Sequence, residues 1–161
     1  MKHEWRKNEK AIYIPKTKPE LVEIPEYKFA TLRGEGNPNS DAFQENISAL
    51  YSISYTVKME LKKLEIKPDN YLDWTVYPLE GVWDISEKAK QNYKGQINKD
   101  DLIFELMIRQ PDFISSEFFK EMLELAKKKK PHKLMGNIKL KKISEGNCIQ
   151  MMHVGSFDNE P

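Results

Sequence analysis

The chain has 161 residues, with 26 lysines and arginines against 25 aspartates and glutamates, 39% hydrophobic side chains and 32% charged ones. This near-neutral mix is that of a soluble chain long enough for one domain with a real core, or for two small repeats sharing one, and it excludes a nucleic-acid or membrane field over the whole molecule. The single Cys148 excludes an intramolecular disulfide framework, and no apolar run reaches the roughly 18 residues of a membrane span.

The start, "MKHEWRKNEK", is charged and lacks the apolar core of a signal peptide. With the lone cysteine, it points to a reducing, cytoplasmic setting. Residues 1–20 are rich in lysine and arginine and read as an extended arm with a short helix before Ile12. No aromatic platform or groove-reading motif accompanies that charge, so no nucleic-acid partner is expected.

Val22 to Leu32, "VEIPEYKFATL", mixes β-formers in loose alternation and reads as a strand. "RGEGNPNS" ends it, and Asn39 or Ser40 then caps a helix whose first turn carries Asp41. Phe43, Ile47, Leu50, Ser54, Val57, Leu61 and Leu64 recur every three or four residues and draw one buried stripe. About 25 helical residues would span roughly 37 Å, enough to cross a sheet. "IKPDN" stops this helix. "YLDWTVYPLEGVWDI" follows as a strand broken or bulged at Pro78–Gly81, then a polar, lysine-rich link over 86–100, then the strand "LIFELMIRQP".

"SSEFFKEMLELAKKKKP" reads as a helix capped by Ser115 or Ser116 and stopped at Pro131. Its lysines crowd the negative end of the dipole, and Phe118, Met122 and Leu125 form its ridge, joined by Phe119. "IKLKKISEGNCIQMMHVG" is a final strand region. "IQMMHVGSFDNEP" repeats the order of "FATLRGEGNPNS": a strand, a basic residue, a glycine turn and capping residues, with His153 near the place of Arg33. In the first copy a long helix and two strands follow; in the second the sequence ends.

"YIPKTKPELVEIP", "GEGNPN", "ALYSISYTVK", "PLEGVW", "MIRQPDF" and "HVGSFDNEP", in that order, resemble successive signatures of the GyrI-like small-molecule-binding family. The match is to the stand-alone branch, which is similar to cyclopropanoid cyclopropyl hydrolases. The resemblance covers about Ile12 to Pro161. It implies an α+β fold of duplicated strand–helix–strand–strand units on a curved antiparallel sheet, with a ligand cleft between two long helices. The domain would run over 21–161, with a first unit at about 21–111, a linker helix at about 115–130 and the start of a second unit at about 138–161. That second unit keeps only its first strand, and the family's segment with a pocket glutamate has no counterpart. An incomplete chain, a homodimeric partner that closes the open edge, or a truncated product would each account for this.

Relatives of this kind bind aromatic, often cationic, drug-like molecules, and some open the strained cyclopropane of DNA-alkylating toxins by adding water. Two readings follow: an aromatic small-molecule binder, and a hydrolase if the domain is complete. A third, from another class, is a protein-interaction module such as a gyrase-inhibitor-like protein, marked by an exposed apolar patch.

Glu80 is the candidate catalytic acid. Ionised, it would attract a cationic ligand; with its proton held by burial, it would serve as a general acid or orient a water. In the duplicated architecture it would face the missing glutamate. The plainer alternatives are solvation at the turn or pairing with Arg109. Trp83 is a cleft wall or ordinary core. Tyr51 and Tyr55, four apart, share a helix ridge that flanks the apolar stripe, so their hydroxyls reach a cleft or sit at a helix–sheet boundary. Trp74 and Met107 line the cleft or fill the core. His153 reads as a structural histidine and Cys148 as a small core residue. His3, His132 and His153 are scattered, so neither a metal nor a cofactor is expected, and Gly34–Gly36 falls short of a phosphate loop.

Overall fold

Serine and asparagine caps, prolines and glycines divide the chain into eight strands and five α-helices among the described residues of a computed structural model, 1–129 and 132–156. The first elements are short: β1 (Lys2–His3), α1 (Trp5–Asn8), α2 (Lys10–Tyr13) and β2 (Glu20–Ile24). β3 (Tyr27–Glu35), α3 (Asp41–Lys63), β4 (Asp73–Trp74), β5 (Leu79–Ile85) and α4 (Glu87–Gln91) follow. β6 (Leu102–Gln110), α5 (Ser116–Lys129), β7 (Lys139–Ile143) and β8 (Gly146–Gln150) complete the order, with single 3-10 turns at Lys99–Asp101 and Lys133–Asn137. The mixed α+β class is as expected. The expected stop at Pro131, and the end of "HVGSFDNEP" from Phe157, lie outside the described residues.

The chain forms two compact units. One comprises Met1–Tyr27, Leu72–Thr75 and the chain from Lys142. In it β1 pairs parallel with β4, and β2 pairs antiparallel with β8 from Glu20↔Gln150 to Ile24↔Gly146. The single strand expected over Val22–Leu32 is therefore two strands. Pro25 has no N–H to give a ladder, and the break there lets β2 and β3 take different partners. The last strand region is likewise two strands, β7 and β8, in different ladders. Alternation shows clearly in the β2–β8 ribbon: Val22 and Cys148 are half-buried, whereas the facing pair Leu21 and Ile149 are each 77% exposed.

The other unit comprises Lys28–Tyr71 and Val76–Lys141. Its centre is a four-stranded sheet in the order β5-β6-β3-β7. β3 and β6 pair antiparallel from Lys28↔Gln110 to Glu35↔Ile103, and β5 and β6 from Leu79↔Ile108 to Ile85↔Leu102. The second ladder corrects one expectation. There is no bulge at Pro78–Gly81: Pro78 stands just before the strand, where its missing N–H costs no ladder bond, and Gly81 sits inside an unbroken register.

Ser40 caps α3, its hydroxyl accepting from the Phe43 N–H at 3.2 Å, and Asp41 lies in the first turn. The helix runs 23 residues and buries Phe43, Asn46, Ala49, Leu50, Ile53, Ser54, Val57 and Leu61. Ile47, expected in the stripe, is only half-buried, and Leu64 is exposed beyond the last turn. Each fully buried Leu, Ile or Val on this face contributes about 1.5–3 kcal/mol. α5 is capped by Ser115, which accepts from the Phe118 N–H at 3.1 Å. Its buried positions are Phe119 and Ala126, with Phe118, Met122 and Leu125 half-buried, so the ridge lies about one position round the helix from the one expected. Lys129 reaches Glu60 of α3 at 2.6 Å and clasps the two helices. This bond, with a second from Lys63, lowers the pKa of Glu60.

A polar contact locks α3 onto the sheet. The buried Gln110 amide donates to Ser54 Oγ at 3.1 Å, and Ser54 donates in turn to the Leu50 carbonyl at 2.8 Å. Ser54→Ala leaves the amide short of an acceptor, and the expected loss is about 1–3 kcal/mol. Urea denaturation measures it; an unchanged midpoint would show that the contact is dispensable.

Candidate functional site

The register assigns every side chain of the central strands to a face. Glu80, Met107 and Thr31 stand in one row across β5, β6 and β3. Arg109 and Phe29 form the next row of that face, and Val82, Glu105 and Arg33 the row on the other side. The opposite face carries Trp83, Phe104 and Gly34 in one row, then Gly81, Leu106 and Leu32. α3 covers this second face, since Phe43 packs on Trp83 and Phe104 and Ser54 bonds Gln110. Glu80 and Met107 therefore lie on the face opposite α3, and Trp83 lies on the α3 side. Glu80 and Trp83 are three residues apart in an unbroken strand, an odd step that puts them on opposite faces.

On the face opposite α3 Met107 is 3% exposed, and Thr31 and Phe29 are also buried. Glu80 is half-buried on an edge strand, with its Oε1 atom shielded from solvent. Arg109 is 9% exposed, and its guanidinium lies 4.5 Å from the ring centre of Tyr77, the residue two before β5. Further along the face, Lys141 of β7 is bonded to Glu105. The face thus gathers a carboxylate, a guanidinium, a phenol and a thioether among apolar side chains; Glu80 is half-buried, and Arg109, Tyr77 and Met107 are buried. That set can hold a flat organic molecule and orient one or two of its polar atoms.

The helix side carries a separate aromatic group. Trp83, Phe43 and Phe104 pack with ring centres 5.1–5.6 Å apart, and Trp83 remains 42% exposed. Two glycines make room for it. A Cβ on Gly34 would stand 2.5 Å from the Phe104 ring, and one on Gly81 would stand 3.0 Å from the Trp83 indole nitrogen. Tyr51 and Tyr55 stack at 6.3 Å on α3. On the helical wheel they lie opposite Glu60, the α3 residue that Lys129 of α5 reaches. Tyr51 is half-buried and Tyr55 is 52% exposed. Trp74 belongs to the first compact unit, where it is buried beside the β1–β4 bridge.

Arg109, Tyr77 and Thr31 escaped the sequence reading as site residues. A signal existed for Arg109: in "LIFELMIRQP" it stands two from Met107, so alternation alone puts both on one face. His153 is hydrogen-bonded to the Ser156 carbonyl, and Cys148 is half-buried. Among the described residues, no three His, Cys, Asp or Glu side chains gather to hold a metal, and no helix is long and apolar enough to cross a membrane.

Comparison with known proteins places this geometry in context. The GyrI-like small molecule binding domain family matches residues 17–161. A hydrolase from Listeria innocua is 38% identical with a TM-score of 0.81, over 98% of this chain and 76% of that one. A further structure of a Listeria innocua hydrolase is 39% identical with a TM-score of 0.83, over 99% and 75%. An uncharacterized conserved protein from Listeria innocua is 38% identical with a TM-score of 0.82, over 97% and 74%. No curated protein matches the chain.

The edge strand that carries Glu80 is pinned at its far end. Asp84 accepts from Lys90 of α4 at 2.7 Å and from the Ile85 N–H at 2.8 Å, and these bonds hold its pKa below the ordinary aspartate value. A depressed pKa contributes stability above the ordinary aspartate range and loses it as the pH falls through the lowered value. Asp84→Asn should therefore be slightly less stable than wild type at neutral pH, with the difference vanishing in acid. Melting curves across that range measure this, and a pH-independent difference would contradict it.

Proposed function

This chain belongs to the GyrI-like small-molecule-binding domain family, and on that footing we propose that it binds an aromatic, drug-like small molecule at the Glu80 face of the sheet. The observation that carries the reading is the row of Glu80, Met107 and Thr31 beside Arg109 and Tyr77. Glu80 is half-buried on an edge strand, where the field of its carboxylate is stronger than in water. The buried Met107, Tyr77 and Phe29 form the apolar backing behind that carboxylate. Trp83, Tyr51 and Tyr55 then form a second aromatic surface on the helix side, and Trp74 has a packing role in its own unit.

A second reading is favoured by two similar structures being those of hydrolases. In it the bound molecule carries an activated cyclopropane, as in DNA-alkylating toxins. Glu80 orients a water in line with the strained carbon and takes its proton as the new C–O bond forms; the ring bond breaks, its electrons flow into the conjugated carbonyl of the ligand, and the resulting enolate or phenolate oxygen takes up a proton from solvent. The interaction-module reading has exposed apolar side chains in its favour: the Leu21–Ile149 pair, and Met151, Met152 and Val154 just after β8.

Titration with a fluorescent fused-ring probe tests the binding reading. Wild type and Trp83→Ala should bind alike, whereas Glu80→Gln should change affinity by about tenfold, or about 1.4 kcal/mol. A loss confined to Trp83→Ala would move the site to the helix side. If the chain also hydrolyses a cyclopropane alkylator, Glu80→Gln should slow ring opening by about 100-fold or more.

A further inference from the structure

We propose that β5 pairs with β5 of a second copy of this chain, antiparallel and centred on Gly81, so that two four-stranded sheets join into one of eight strands. This goes beyond the ligand reading and does not depend on it. β5 and β7 are the two edges of the central sheet, and they are built differently. β7, "KLKKI", carries three lysines, which discourage a further strand from adding. β5, "LEGVWDI", runs seven residues in unbroken register, with no lysine, proline or bulge. Gly81, Val82, Trp83 and Asp84 along it are exposed, Val82 to 57%. A regular edge with exposed apolar side chains and none of these safeguards is a template for pairing.

The ladder shows which backbone groups of β5 remain open. The Ser86 N–H donates to the Asp101 carbonyl at 3.0 Å, one step beyond the Ile85↔Leu102 pair. Even-numbered residues of β5 therefore bond to β6, and the N–H and C=O groups of Leu79, Gly81, Trp83 and Ile85 point away from it. Asp84 closes the last of these by accepting from the Ile85 N–H at 2.8 Å. Among the described residues, no backbone bond reaches Leu79, Gly81 or Trp83 from the outer side. These open groups are symmetric about Gly81, which makes the strand its own complement. Centred there, Leu79 exchanges bonds with Trp83 of the partner copy, and the two Gly81 residues bond each other. Glu80 then stands opposite Val82 of the partner copy. Charge and satisfied donors select the same register. A centre at Val82 would set Glu80 directly opposite Asp84 of the partner copy, and like charges so placed repel. A centre at Trp83 would oppose Gly81 to the blocked Ile85.

Sedimentation between about 1 μM and 1 mM tests this. The weight-average mass should rise from 18.9 kDa toward twice that value. Val82→Lys puts an edge charge opposite Glu105 of β6 and should weaken association at least about tenfold, while Val82→Thr should leave it in place. Register is read by crosslinking in a Cys148→Ser background, an arm that serves even if Val82→Lys does not fold. Glu80→Cys and Val82→Cys chains, mixed and oxidised, should form a disulfide heterodimer, because a pair of this kind brings its Cα atoms to about 4.5 Å. A chain that stays monomeric at about 1 mM would overturn the inference. So would a dimer dissolved by Leu21→Lys but not by Val82→Lys, which would assign the contact to the β2–β8 ribbon. A mixture that crosslinks no better than either variant alone would overturn the register, and the inference with it.

Discussion

The unbroken ladder between β5 and β6 is the constraint on which the rest of this architecture depends. Seven consecutive pairs, from Leu79↔Ile108 to Ile85↔Leu102, leave no room for a slip, so the face of every side chain is settled by odd or even position. One residue of slip would send Glu80 under α3 and Trp83 to the opposite face. The two chemically distinct surfaces exist because that register holds: carboxylate, guanidinium and thioether on one side, and aromatic rings on the other.

The same constraint explains why a glutamate is tolerated in "YPLEGVWD". On the helix side it would meet Leu106, Leu32 and the Phe43–Phe104 cluster, apolar surroundings in which an ionised group is costly. On the other face it stands at the sheet edge, one diagonal from Arg109. The helix side is tied down by dispersion and by the Ser54–Gln110 bond, so the sheet is a rigid floor. A rigid floor suits a binding surface, because a ligand then spends little of its affinity on ordering the protein.

Much of this could be read from residue order. The long helix, its Ser40 cap, the strand ending at Pro111 and the α+β class follow from periodicity and punctuation. What could not be read was long-range pairing. Pro25 looked like an irregularity in one strand, yet it separates two strands that join different ladders. Pro78 looked like a break within a strand, yet it marks the boundary before one. Local sequence shows that a proline lacks a donor; only the partner strand shows whether a donor was needed. The uncertain parity at Glu80 came from the same source. Once the bulge is gone, Glu80 groups with Met107, and Trp83 groups with Phe43. Arg109 was read only as a counter-ion for Glu80, because the ring of Tyr77 beneath it is set by the meeting of two strands and not by neighbours in sequence.

The central claim is that ligand meets the protein at Glu80, on the sheet face opposite α3. The most direct measurement is an NMR titration of methyl-labelled methionine and indole-labelled tryptophan with acridine. Met107 lies in the Glu80 row, and Trp83 lies on the far side of the same strands. The account predicts that the Met107 methyl resonance shifts saturably while the Trp83 indole resonance stays in place. A saturable shift at Trp83 with Met107 unmoved would contradict it and assign binding to the aromatic surface beside α3.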